Sequence, residues 1–356
     1  MLSYIIRRLL LIVPTLLGIM LINFLLIQAA PGGPVDRFMM QLQGIGDATL
    51  ASLSGGGSMD QGEAVSTNEE ISAHVLELVR ARYGLDEPLH KRFITMMRQY
   101  LFFDFGDSFF RGQSVVSVVL EKMPVSISLG LWSTLFIYLI SIPLGIRKAV
   151  KDGTPFDAYS SFILIALSAI PALLLAILLL VFFAGGEYFN WFPNRGLTSE
   201  NFELLSFWGK IKDYVWHMAL PVISITIGGF VGLTMLTKNS FLDQIRQQYV
   251  QTARAKGCSE ARVMYAHVFR NAMLIVISGF PALLVGILFT GSLLIEIIFS
   301  LDGLGRLGFE SIVKRDYPLI YGTLYFSTLL GLLLKLLTDL SYVLIDPRID
   351  FDKREL

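Results

Sequence analysis

The sequence predicts an all-α polytopic membrane protein with six transmembrane helices, both termini cytoplasmic, and a long periplasmic insertion after the first helix. Hydrophobic residues make up 54% of the chain and charged residues 16%, whereas soluble domains average about 45–50% and about 25%. The mean hydropathy is +0.61. Six apolar runs separated by polar segments complete the prediction, because a helix that spans a bilayer needs about 20 apolar residues.

The first run extends from Leu9 to about Ile27 and predicts a transmembrane helix within residues 1–30. A cleaved signal peptide is the alternative, since small residues follow the run at 28–30. The run is longer than the roughly 7–15 apolar residues of a signal core. We therefore expect it to stay in the membrane as a helix.

Residues 31–123 are predicted to leave the membrane as a polar periplasmic insertion. The stretch from 44 to 68 is rich in glycine and serine and poor in large apolar residues, which predicts a flexible segment. Apolar residues at helical spacing then predict two helices, over 69–82 and 89–102, with Pro88 between them.

Residues 124–343 are predicted to form the five-helix transmembrane core, and residues 344–356 a polar cytoplasmic tail. The five spans are expected at 124–146, 156–183, 218–236, 272–299 and 318–343. Prolines inside them predict bends, because a proline releases backbone groups that a neighbour must satisfy. These prolines are Pro143, Pro171, Pro221 and Pro281.

The distribution of Lys and Arg predicts the orientation. More of them lie in the start, the loop after residue 146, the loop at 238–271 and the tail than in the two short opposite loops. Cytoplasmic loops carry the excess of positive charge, so both termini are expected in the cytoplasm. The insertion is longer than about 60 residues and is exempt from this rule.

Several function classes have no support in the sequence. The formal net charge is zero, which gives no reason to expect nucleic acid as a partner. Cys258 is the only cysteine and the histidines lack ligand spacing, so no metal site and no cofactor are predicted. The phosphate-binding, zinc-protease and serine-hydrolase motifs do not occur. We expect a chain that is not an enzyme on its own.

Residues 238–271 are predicted to form a cytoplasmic loop between the fourth and fifth spans, with a polar island at 249–271. Apolar residues from Phe241 to Tyr249 recur at helical spacing. Gly257 is predicted to end this helix, because glycine accepts the left-handed conformation of a helix end. Ser259 can cap a second helix, with Glu260 favoured in its first turn. The prediction is a helix, a sharp corner and another helix.

The stretch Tyr249–Gly257 reads Tyr-Val-Gln-Thr-Ala-Arg-Ala-Lys-Gly and resembles the cytoplasmic coupling loop of ABC importer permeases of the dipeptide, oligopeptide and nickel kind. In that family the loop docks into a groove on a separate ATPase, where alanines permit close approach and Arg and Lys can pair with acidic groups. On residue types alone, an ordinary basic loop at the inner membrane face is the alternative. The resemblance implies coupling to the ATPase for Thr252, Ala253, Arg254, Ala255, Lys256, Gly257, Ser259 and Glu260.

The resemblance extends over most of the chain. Landmarks include the segments 82–86, 315–318 and 346–349, and finer matches at 233–242 and 289–296 are similar to the Yej branch of the family. That branch implies uptake of oligopeptides and of peptide antibiotics of the microcin C kind. The segment 104–108 is similar to an Asp-x-Gly-x-Ser segment of the family, and it is either a tight acidic turn or a rim for a binding protein.

The family implies an assembly in the bacterial inner membrane. Its parts are one or more ATP-binding ABC subunits, a second homologous permease that completes a heterodimer, a periplasmic peptide-binding protein and membrane lipid. Alternating access would follow ATP-driven closure of the ATPase. An ion-coupled secondary transporter is the alternative and needs a protonatable residue near mid-bilayer. A membrane scaffold without transport is a third class.

The sequence departs from the family pattern at Asp302, where the family commonly has proline, so a role for a rigid proline is not carried over.

Three ionisable residues inside the predicted spans are candidates for the translocation path or a gate: Glu296, Lys335 and Asp339. A charge at a helix centre costs about 2.5–3.5 kcal/mol on insertion scales, so each needs a reason. Lys335 and Asp339 are four residues apart and are expected to face the same way and to pair. Glu296 is either a group of the path or outer gate, or a carboxylate that reaches the membrane interface.

Overall fold

The structure is a computed structural model that describes residues 2–29, 87–186, 188–286 and 293–345. Within these ranges the chain is helical apart from short connections and one isolated β-bridge between Asp107 and Ser114. The glycine-rich stretch at 44–68, the helix predicted over 69–82 and the tail after 345 lie outside the described residues. Packing divides the chain into a larger unit of residues 1–9, 121–307 and 330–356 and a smaller unit of residues 10–120 and 308–329.

The described helices are numbered here in chain order. They are α1 (Leu2–Ala29), α2 (Leu89–Leu101), α3 (Val115–Val150), α4 (Pro155–Ser168), α5 (Ala172–Phe183), a 3-10 turn (Phe202–Leu204), α6 (Phe207–Ile245), α7 (Gln248–Ala255), α8 (Glu260–Arg262), a π-helical stretch (Val263–Val268), α9 (Phe269–Ser278), α10 (Phe280–Gly286), α11 (Leu293–Ile298), α12 (Leu304–Lys314) and α13 (Tyr317–Ile345).

Four of these helices are long and apolar enough to cross a membrane: α1, α3, α6 and α13. They correspond to the first, second, fourth and sixth predicted spans. The helices α4 and α5 reach spanning length only as a pair, which is bent by 86°. The predicted fifth span is divided among α9, α10 and α11, and residues 287–292 lie outside the described residues.

The predicted third span is broken at Pro171, where the sequence predicts a bend. The helix ends at Ser168 and resumes at Ala172, because Pro171 takes an extended conformation with ψ 135° and has no N–H to continue the ladder. A proline does not by itself end a helix in this chain, since α3 continues through Pro143 and α6 continues through Pro221. α3 also begins at Val115, so it reaches into the segment that the sequence assigns to the insertion.

The core of the larger unit is built around α6, which packs against α3, α4, α5 and α9. Small residues let α3 and α6 approach closely: a Cβ on Gly229 would lie 2.5 Å from Cδ1 of Ile137, and one on Gly145 would lie 2.6 Å from Cβ of Thr237. The hydroxyl of Ser141 donates to the carbonyl of Phe230 at 2.9 Å. Close approach of this kind is how helices associate where no water drives burial.

The smaller unit contains most of α1, then α2, the turn that follows it, and the first part of α13. Gly106 has φ +71° and its N–H donates to the side chain of Asp104 at 3.2 Å, so the segment 104–108 forms a tight acidic turn. The hydroxyl of Ser108 donates to the buried carboxylate of Asp316 at 2.5 Å. This bond ties the turn to the start of α13.

Candidate functional site

The predicted coupling loop, residues 238–271, folds as a helix, a corner and a second helix. Gly257 follows α7 with φ +78°. The N–H of Cys258 donates to the carbonyl of Ala253 at 3.2 Å, and the N–H of Gly257 donates to the carbonyl of Arg254 at 2.9 Å. These two bonds form the Schellman arrangement that closes many helix ends, and it places a left-handed residue at the position of Gly257. The corner, residues 255–260, is therefore fixed by the backbone.

The second helix begins as the sequence predicts. The side chain of Ser259 accepts a hydrogen bond from the N–H of Arg262 at 3.4 Å, and Glu260 lies in the first turn. The chain then passes through the π-helical stretch Val263–Val268 before α9. Such stretches inside α-helices are frequent at functional sites.

An ion pair closes the corner. Nε of Arg254 donates to Oε1 of Glu260 at 2.8 Å, and Nη2 donates to Oε2 at 3.0 Å. The hydrogen bond to Glu260 raises the pKa of Arg254, and the bond from Arg254 lowers the pKa of Glu260. Arg254 is thus engaged within the chain, whereas Lys256 stands exposed at the corner. Of the two basic residues, Lys256 is therefore the one with the exposed side chain.

The inner face of α7 packs into an apolar cluster of the larger unit. Val250 is fully buried and Ala253 is 7% exposed, in one cluster with Phe241 and Val263. This burial gives Ala253 a packing role that seats α7, instead of the surface role that the sequence implies. The other predicted coupling residues have side chains at the surface. They are Thr252, Arg254, Ala255, Lys256, Ser259 and Glu260, and the backbone of Gly257 is exposed beside them.

A buried charge network joins the C-terminal ends of α3 and α6 to the start of α4. The ammonium group of Lys148, which is fully buried, lies 2.9 Å from Oδ1 of Asp157 and donates to the hydroxyls of Ser160 and Ser161 at 2.8 and 2.7 Å. The other oxygen of Asp157 accepts from Lys238 at 2.7 Å. Lys148 belongs by sequence to the basic loop predicted after residue 146, where nothing indicates a buried partner, so the network was not predicted.

Glu296 caps a helix. It is fully buried in α11, which contradicts the interpretation as a carboxylate at the membrane interface. Its carboxylate accepts from the hydroxyl of Ser126 at 2.8 Å and from the N–H of Arg306 at 2.8 Å. The oxygen of Ser126 accepts in turn from the N–H of Leu304 at 2.8 Å. Both N–H groups belong to the first turn of α12, where the helix has no acceptor of its own and negative charge is favoured.

The turn before α12 is shaped around this carboxylate. A Cβ on Gly303 would lie 2.5 Å from Cδ of Glu296, so glycine is needed for the close approach. Asp302, the departure from the family pattern, forms an ion pair with Lys122 at 2.5 Å. The residue at 302 thus contributes a charge contact in place of a rigid proline.

The predicted pair of Lys335 and Asp339 is not formed among the described residues. Asp339 instead forms an ion pair with Arg8 of α1, whose Nη2 lies 3.1 Å from Oδ2, while Lys335 is exposed. An arginine offers several donors on a long side chain and competes well for a half-buried carboxylate. The helical spacing alone did not identify this partner on α1.

The family model described as binding-protein-dependent transport system inner membrane component matches residues 141–351. The chain is 53% identical to the peptidoglycan transport system permease protein YejB of Agrobacterium fabrum strain C58, over 99% of this chain and 100% of the relative. It is 54% identical to the inner membrane ABC transporter permease protein YejB of Escherichia coli O157:H7, with the same coverage.

More distant similarity agrees with these matches. The chain is 32% identical to the oligopeptide transport system permease protein AppB of Bacillus subtilis strain 168, over 99% of this chain and 100% of the relative. An inward-facing structure of the MetNI methionine ABC transporter matches with a TM-score of 0.50 and 14% identity, over 65% of this chain and 97% of that chain. At this identity the structural match shows a shared fold.

Proposed function

The chain belongs to the family of binding-protein-dependent transport system inner membrane components, as an ABC importer permease of the peptide type, and we propose that it imports oligopeptides across the bacterial inner membrane. The observation that carries the proposal is the corner at 255–260, an exposed turn that is closed by backbone hydrogen bonds and follows a helix packed on an internal apolar cluster. A partner that pushes on such a turn moves the helices behind it instead of deforming the loop.

In the proposed mechanism a separate ATPase binds α7 and the corner. The inner face of α7 shares its apolar cluster with Phe241 of α6 and with Ala272 and Val276 of α9. Closure of the ATPase on ATP would therefore move α6 and α9 together. The network of Lys148, Asp157 and Lys238 would carry the same displacement to α3 and α4.

The proposed assembly contains the ATP-binding subunit or subunits, a second homologous permease in a heterodimer, and a periplasmic peptide-binding protein. The description of the family model supports the binding protein, since it names binding-protein-dependent transport. The ion-coupled alternative has no support in the comparisons, and Glu296 serves as the cap of α12. Glu296, Lys335 and Asp339 remain proposals for the path or gate.

The proposed substrates are oligopeptides, including peptide antibiotics of the microcin C kind. The name of the relative from Bacillus subtilis supports oligopeptides. A peptide released from peptidoglycan is a second candidate, favoured by the name of the relative from Agrobacterium fabrum. Competition for uptake between a labelled oligopeptide and a peptidoglycan-derived peptide distinguishes the two candidates, because the preferred substrate reduces uptake of the other at lower concentration.

Affinity purification of the tagged chain from membranes in mild detergent tests the assembly. We expect an ATPase and a second membrane subunit to copurify. Replacement of Lys256 by Glu is expected to reduce the amount of ATPase while leaving the second permease in place, because it reverses the exposed charge at the corner. Recovery of the chain without any ATPase, from membranes that contain the complete transporter, would contradict the proposal.

A further inference from the structure

The smaller unit contains an open cavity that has no part in the proposed coupling. Its volume is about 640 Å³, and the described residues that line it come from α1, α2, the turn after α2, and the start of α3 and of α13. Pockets for small ligands have volumes of about 300–1,000 Å³. The cavity is therefore large enough for a few residues of peptide.

Aromatic rings form much of its wall. The rings of Tyr100 and Phe105 lie 4.5 Å apart, and those of Phe24 and Tyr321 lie 5.9 Å apart. Phe103, which also lines the cavity, has φ 58°, a left-handed conformation that is uncommon for an aromatic residue. Aromatic faces bind apolar side chains and also attract cations.

The charged groups of the lining are mostly acidic. Glu87, Asp104 and Asp107 contribute carboxylates, against the single cation Arg92 among the described lining residues. Arg92 donates to the side-chain oxygen of Gln28 at 3.2 Å, which engages one of its N–H groups. Three carboxylates beside aromatic faces favour a cationic group in the cavity.

A buried hydroxyl in the wall is poorly satisfied. Tyr321 is 5% exposed, and its hydroxyl lies within reach of the side chain of Gln28 without a hydrogen bond of good geometry to a described residue. The side-chain nitrogen of Gln28 is likewise buried without an acceptor. Buried polar atoms in native proteins nearly always have a partner, and an exception needs an explanation, of which a bound group is one. A peptide backbone offers both the donor and the acceptor that these two atoms need.

We propose that this cavity binds the amino end of a peptide, with the ammonium group against the carboxylates and the first side chain between the aromatic rings. The inference rests on the proposed function in taking a peptide as its ligand. It adds a binding site in the smaller unit, where the carboxylate of Asp104 binds the ammonium group and the hydroxyl of Tyr321 binds the peptide backbone.

The test uses the full chain in lipid nanodiscs and isothermal titration calorimetry with two probes. These are the tripeptide Phe-Ala-Ala with a free amino end and the same peptide with an acetylated amino end. We expect the acetylated peptide to bind at least tenfold more weakly. Asp104→Asn is expected to weaken binding of the free peptide about tenfold, and Tyr321→Phe about threefold. Glu203→Gln serves as the matched control, since Glu203 is exposed and lies outside the cavity lining.

Several results would overturn the inference. Equal binding of the free and acetylated peptides would show that no amine is read. Binding that Asp104→Asn and Glu203→Gln leave equally unchanged would place the peptide elsewhere. A tightly held phospholipid that copurifies and excludes both peptides would assign the cavity to lipid. ATP-dependent peptide uptake by the complete transporter is measured in parallel. Normal uptake without binding to this cavity would refute the cavity site alone. Absence of peptide uptake by the unaltered transporter would refute the proposed function.

Discussion

Gly257 is the residue on which the corner depends. Its φ of +78° is left-handed, yet a Cβ at this position would meet nothing within 4 Å. A substitution therefore strains the backbone without a steric clash. For a β-branched side chain this strain is about 1–2 kcal/mol. We predict that Gly257→Val lowers uptake per ATP hydrolysed by about 5–30-fold, the factor that this energy represents, while the protein still inserts into the membrane.

The control for this prediction is Gly257→Asn. Asparagine visits the left-handed region more readily than other residues that carry a side chain, so most of the coupling should be retained although the side chain is larger and polar. Uptake and hydrolysis are measured together in proteoliposomes. Equal coupling in the valine and asparagine variants would show that the backbone at Gly257 does not set the corner.

Gly303 offers a second prediction at the scale of one residue. A Cβ there would lie 2.5 Å from the carboxylate carbon of Glu296, so Gly303→Ala must displace the carboxylate from the N–H of Arg306. Loss of a hydrogen bond to a charged group costs about 1.5–3 kcal/mol. We predict a decrease of this size in the free energy of unfolding, measured by denaturant titration in detergent micelles.

Gly308→Ala is the matched control within the same helix. A Cβ at Gly308 would meet nothing within 4 Å, and alanine is a better helix former than glycine. The control should leave stability unchanged or raise it slightly. If both alanine variants unfold at the same denaturant concentration, the carboxylate of Glu296 is not what the glycine at 303 accommodates.

At the scale of elements, the pair of Arg254 and Glu260 links α7 to α8. If its role is to close the corner, Arg254→Glu alone should reduce coupling, because it places two carboxylates together. The double variant Arg254→Glu with Glu260→Arg should restore it, since the attraction is re-formed in reverse. Coupling is measured as uptake per ATP hydrolysed. A double variant as defective as the single one would show that Arg254 binds the ATPase directly.

The buried network fixes the ends of α3, α4 and α6 to one another. Removal of one partner from a buried ion pair costs about 3–5 kcal/mol, and we predict a loss near the lower value for Lys148→Met, because Asp157 keeps Lys238 as a partner. Lys151→Met is the control, since Lys151 is exposed a few residues away, and surface changes usually stay within about 0.5 kcal/mol. Unfolding in detergent micelles compares them, and equal stability would contradict the network.

The elements differ in how far the sequence could predict them. Apolar runs predicted α1, α3, α6 and α13, and the Gly257 and Ser259 signals predicted the corner, because these features depend on local propensity. The break at Pro171 and the continuity of α3 through Pro143 were not separable from sequence, since the outcome depends on packing around each proline. Contacts between distant residues were missed for the same reason, as with Lys148 and Asp157, Arg8 and Asp339, and Glu296 and Ser126.

At the scale of the whole molecule, the chain is a membrane subunit, and we propose that a separate ATPase supplies its motion. The family match and the full-length relatives identify an ABC importer permease of the peptide type. Its sequence contains no phosphate-binding loop. The exposed corner is the element through which a separate ATPase is proposed to act.

Reconstituted uptake tests this account most directly. Labelled peptide is offered to vesicles that contain the chain alone, and to vesicles that also contain the second permease, the ATPase and the binding protein. The account predicts accumulation only in the complete vesicles and only with ATP. Accumulation by the chain alone, driven by a proton gradient and indifferent to ATP, would contradict it.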